Sequence, residues 1–168
     1  MFPGLAPGVW KTVTPIGVPD PQRELGVYDK GRMHRYFTLA EANRPLPLVK
    51  KIVADIAGLY PEWRDLVYRY EFVAAKASPS TGELPEQLEL KRQIDGVAHQ
   101  INDFLAELDE VGCVFKGFPD GLVDFYGKLD GRDIFWCWKL GEDDIRHWHE
   151  LEAGFAGRQE IPTVVTTS

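Results

Sequence analysis

The chain has 168 residues, of which 44% are hydrophobic and 27% charged, with a net charge of -7. One domain of this length buries a proper core, and the negative field repels phosphate backbones, which sets nucleic acid aside as a partner. No apolar run approaches the ~18 residues of a membrane span, which sets a membrane aside as well.

The densest basic stretch, Arg64 with Arg69, is interrupted by Glu62, Asp65 and Glu71 and reads as a solvated face. The start, "MFPGLAPGVWKTV", lacks the basic and apolar regions of a secretory signal. Cys113 and Cys137 stand outside any C-x-x-C, so two buried, reduced thiols and a cytoplasmic location are expected.

Residues 1–35 hold five prolines and several glycines among Val9, Trp10, Val13 and Ile16. Such a segment is not helical and reads as either a disordered arm or an extended strap laid over the core, with Trp10 favouring some docking. Ordered structure is expected over 36–161, as a single α+β domain, with a flexible tail at 162–168.

The first helix is announced by "FTLAEA", where Thr38 and Glu41 form a capping box and Phe37 holds the staple position. Leu39, Leu46, Val49, Ile52, Ile56 and Leu59 then share one side. Pro45 and Pro47 should kink its first turns, and Pro61 marks a second break before Trp63, Leu66, Tyr70 and Val73 resume a helical face. "SPSTGELP" (78–85) is a loop. Leu90, Ile94, Val97, Ile101, Phe104, Leu108 and Val111 alternate steps of four and three, and Gly112 stops the helix. The two helices predict a long antiparallel hairpin, whose apolar stripe also suits a homodimer or a docked protein partner.

From Cys113 the period changes to two. "CVFKGF", "LVDFYGKL" and "RDIFWCWKL" read as a three-stranded antiparallel meander, with Asp130-Gly131 as a type I′ turn. That turn sets Asp124 opposite Cys137, Tyr126 opposite Phe135 and Leu122 opposite Lys139 on a mixed face. The other face carries Val123, Phe125, Ile134, Trp136, Trp138 and Leu140, and should pack on the helices.

A short C-terminal helix over about 142–153 closes the fold. Glu142, Asp143 and Asp144 suit its first turn, and Gly154 suits its end. On that helix Ile145, Trp148, Leu151 and Phe155 form the apolar arc, His147 faces water, and His149 sits at the edge of the arc beside Glu152. His149 with Glu152 mirrors the helical Glu-x-x-His arrangement of metal sites, so His149, Glu152 and Asp124 are candidate ligands for a divalent metal. Arg158 lies beyond a helix C-terminus, where it suits a cation cap or a carboxylate clamp rather than a phosphate cradle. Cys137, between two tryptophans and with no histidine near it in sequence, reads as buried and inert.

"RYFTLAEANRPLPLV", "GLVDF", "CWKLGE" and "WHELEAGFAGRQEI" resemble a bacterial family known as domain of unknown function 2203, over residues 36–161. The resemblance implies a small α+β bacterial protein from a family without an assigned activity. Its motif residues fall on Thr38, Glu41, Asn43, Asp124, Trp138, Glu142, His149, Gly154, Gly157, Arg158 and Gln159, with Pro45 and the long arm as departures. Asp124, Glu142, His149, Arg158 and Gln159 thereby become a candidate ligand-binding cluster. Two functions follow as expectations. One is a structural or interaction protein using the hairpin, with the polar cluster as a buttress. The other is a protein that binds a metal or small polar ligand, or an enzyme acting on one, with its site at the junction of sheet and closing helix around His149.

Overall fold

A computed structural model describes residues 33–118 and 120–162. Apart from residues 33–35 and 162, the arm, with Trp10, and the tail lie outside the described residues. Helix α1 (Leu39–Asn43) begins as expected. The Thr38 hydroxyl accepts the Glu41 N–H at 3.2 Å, and the Glu41 carboxylate accepts the Thr38 N–H at 2.8 Å. The chain then turns at Arg44 and Pro45, and α2 (Leu46–Ala74) starts afresh with Pro47 in its first turn, where no intrahelical donor is needed.

Pro61 does not break the helix, contrary to expectation; it lies inside α2. Proline removes one hydrogen bond there, while Ile56, Tyr60, Trp63, Leu66 and Tyr70 bury a continuous face across it. Each such side chain contributes roughly 1.5–3 kcal/mol, enough to carry the helix through. Helix α3 (Pro85–Val111) ends at Gly112, whose φ of 94° is left-handed. Its buried residues Leu90, Ile94, Val97, Ile101 and Leu108 form the predicted seam against α2. No helix among the described residues is long and apolar enough to cross a membrane.

Strands β1 (Val114–Gly117), β2 (Leu122–Leu129), β3 (Arg132–Lys139), β4 (His147–Glu150) and β5 (Gln159–Glu160) form one sheet in that order, antiparallel throughout. The predicted register holds: Asp124 pairs Cys137, Tyr126 pairs Phe135 and Leu122 pairs Lys139. Asp130 and Gly131 both have positive φ, at 51° and 76°, as a type I′ turn requires. Val123, Phe125, Ile134, Trp136, Trp138 and, from β4, Trp148 join the helices in one core. Phe37 meets Phe125 edge-on at 5.3 Å, and Tyr60 stacks on Phe118 at 4.4 Å. Both cysteines are free and buried, and burial pushes the Cys113 thiol up to about 12.

The closing helix is absent, and the sheet has five strands where three were expected. Residues 147–150 are extended along the free edge of β3, followed by a turn, a 3-10 segment at Phe155–Gly157 and the short β5. The acids have other work. Glu142 Oε2 accepts the Lys139 N–H and its carbonyl accepts the Trp138 indole, both at 2.9 Å. Gly154, with φ 62°, leads into the 3-10 segment instead of ending a helix.

Candidate functional site

An antiparallel sheet covered by helices on one face ordinarily leaves the other to water. At the centre of this sheet the outer face is buried as well: Asp124, Phe135, Cys137 and His149 are only 0–2% exposed. Asp124 stands on β2, Cys137 faces it on β3, and His149 faces Phe135 on β4. Because β3 lies between the other two strands, the carboxylate and the imidazole converge across Cys137. His149 Nε2 comes within 3.1 Å of Asp124 Oδ2, and one ligand-type atom from each of Asp124, Cys137 and His149 lies within 4.8 Å of the other two.

The hydrogen bonds make this cluster chemically specific. His149 Nδ1 lies 2.7 Å from the Glu150 carbonyl. A carbonyl only accepts, so Nδ1 carries a proton, and in the neutral ring Nε2 is left with a lone pair. That lone pair faces a carboxylate oxygen, also an acceptor, so the contact needs a shared proton or a metal ion between the two atoms. Asp124 Oδ1, buried beside it, accepts no hydrogen bond. Burial opposes a charge on His149, but the hydrogen bond and charge of Asp124, with the Glu150 carbonyl, outweigh it and raise the imidazole pKa. Burial first, and then the charge of Asp124, push the Cys137 thiol far above its ordinary range.

A second cluster adjoins the first. Arg158 Nη2 donates to both Glu142 carboxylate oxygens at 2.8 Å and to the Cys137 carbonyl at 3.3 Å. His147, which pairs Cys137 on β4, brings Nδ1 to 3.5 Å from Glu142 Oε1. On a strand, residues two apart share a face, so His147 does not turn to water, as the helical reading had it; it lies on the same side of the sheet as His149.

Of the residues singled out from sequence, Asp124 and His149 meet in the first cluster, and Glu142 and Arg158 meet in the second. Gln159 lies exposed on β5 opposite Trp148, and Glu152 lies exposed in the turn after β4. The helical argument that set Glu152 beside His149 lapses with the helix. The ligand type that joins Asp124 and His149 is Cys137, which sequence reasoning set aside for want of a nearby histidine. The signal was present in half: the hairpin register already put Cys137 opposite Asp124.

Residues 35–161 match the model of a family described as an uncharacterized conserved protein, DUF2203, and the chain belongs to that family. Neither a curated protein nor a solved structure matches the chain.

Proposed function

We propose that this member of the DUF2203 family binds a divalent transition metal of the zinc class through Asp124, Cys137 and His149. One observation carries the reading: His149 Nδ1 is committed to a backbone carbonyl, so the Nε2 lone pair, a carboxylate and a thiol converge on one buried point. Metal-bound histidines are oriented in this way, and thiolate with imidazole selects zinc-like ions over calcium or magnesium. Three protein ligands leave a fourth tetrahedral position free, as in catalytic rather than structural zinc sites.

Protein purified without chelator or affinity tag is expected to carry one zinc per chain by elemental analysis. The folded variants Cys137→Ala and His149→Ala should lose it. Sub-stoichiometric metal in the unaltered protein, with no melting shift on adding zinc, would sink the reading. Binding must displace the Cys137 thiol proton and any second proton on His149, and both groups hold protons more tightly than usual. Apparent affinity should therefore rise with pH, on the order of tenfold per pH unit for each proton displaced.

A second reading, a homodimer through the helical hairpin, is supported by Tyr68 and Phe72, one turn apart near the end of α2, and Leu88 near the start of α3. They are 61%, 59% and 55% exposed and lie together at the loop end of the hairpin, the kind of exposed apolar group that marks an interaction surface. Light scattering is expected to give a dimer mass that Tyr68→Glu with Phe72→Glu reduces to monomer; a monomer of the unaltered protein at high concentration removes this reading.

A further inference from the structure

We infer that the metal site is one half of a receptor for a small oxyanion, a carboxylate or phosphate group, and that the ammonium of Lys116 is the other half. The inference rests on the metal reading above and adds the class of ligand that the fourth position takes.

Lys116 lies on β1 at the irregularity between Phe115 and Gly117, and its contact with Phe135 puts its ammonium on the same face of the sheet as Asp124. Its Nζ stands 4.9 Å from the centre of the Phe135 ring, and that ring lies 5.4 Å from the His149 ring. Phe135 is fully buried, so it forms an apolar floor between the cation and the cluster.

The cations of β2 and β3, and Arg158 before β5, are already committed. Arg158 is paired with Glu142, Arg132 with Glu150, Lys128 with Asp133 and Lys139 with Asp120. Among the described residues, no carboxylate pairs with Lys116. Charge arithmetic gives that fact its meaning. A dication held by the Asp124 carboxylate and the Cys137 thiolate is electrically neutral as a unit, so it offers an incoming anion a coordination position but little net attraction. The exposed ammonium of Lys116, held over the Phe135 ring that also borders His149, supplies the missing charge. An oxyanion with one oxygen on the metal and another on Lys116 satisfies both.

Cobalt(II) as the probe metal separates the two readings, because its visible absorption reports coordination directly. Acetate and inorganic phosphate, titrated separately into the cobalt-loaded full chain, should shift that spectrum saturably for at least one of them, and the one that binds identifies the oxyanion. Lys116→Met should bind cobalt as before but hold the anion about tenfold more weakly, the loss of one charge-assisted hydrogen bond. Lys116→Arg should restore most of it. A cobalt-loaded protein whose spectrum neither anion moves, or equal anion affinity in Lys116→Met, overturns the receptor and leaves the metal reading standing. A chain that takes up no cobalt overturns both.

Discussion

Gly127→Ala is expected to destabilise the protein by about 3 kcal/mol, and so to lower its melting temperature by about 10 °C. Gly127 is on the core face of β2, opposite Ile134. A Cβ built there would stand 2.2 Å from Trp136 Nε1 and under 3 Å from two further indole atoms. The indole lies across the strand because its N–H donates to the Phe37 carbonyl at 2.9 Å, while the Phe37 N–H donates to Tyr126 at 2.8 Å. One added methyl group therefore does three things. It lifts a large ring from the core, leaves a buried indole donor without its acceptor, and loosens the segment that leads into the α1 cap. Denaturant unfolding with near-ultraviolet dichroism tests this. A loss under about 0.5 kcal/mol with an unchanged tryptophan signal would show that the indole has another resting place.

Asp124→Ala and His149→Ala are each expected to cost the metal-free protein about 3 kcal/mol or more, because each leaves the other partner buried and uncompensated. The double variant should cost far less than the sum of the two, and the difference measures their coupling. The cost of losing His149 should also depend on pH. Its pKa is raised in the folded protein above the ordinary 6.5, so the folded state binds the second ring proton more tightly than the unfolded chain does. The stabilisation is present in full below about pH 6.5 and fades as pH rises through the raised folded value. His149→Ala should therefore differ most from the parent at pH 5.5 and least at pH 9. A pH-independent difference would show that His149 is neutral in the metal-free protein and that packing alone accounts for its cost. Saturating zinc should reverse the dependence, since metal competes with those protons.

Much of the fold was legible because local rules and tertiary demands agreed. The Thr38–Glu41 box, the α3 seam ending at Gly112, the Asp130-Gly131 turn and the pairing of Asp124 with Cys137 each rest on contacts within a few residues or on a register set by a tight turn. Pro61 was misread because its local penalty is visible in sequence, whereas the packing that outweighs it is spread along α2. The segment from Glu142 to Ala153 was misread for a different reason. A strand half-buried on one face alternates in hydropathy. In β4, however, adjacent Trp148 and His149 are both buried, one in the core and one on the outer face. That erases the period of two and leaves a spacing that imitates a helix.

The site divides along the same line. From the residues alone, Asp124 and Cys137 are opposite each other, because a two-residue turn leaves no freedom in the β2–β3 register. That His149 joins them is decided only when β4 pairs with the open edge of β3, across a connection of seven residues from the last strand that sequence patterning reveals. Edge pairing is a backbone event: any chain with free N–H and C=O groups satisfies it, so side chains do not announce it. Sequence supplied two of the three ligand-type residues in register. The tertiary structure chose the third, and with it turned a histidine beside a glutamate into a histidine facing a carboxylate across a thiol.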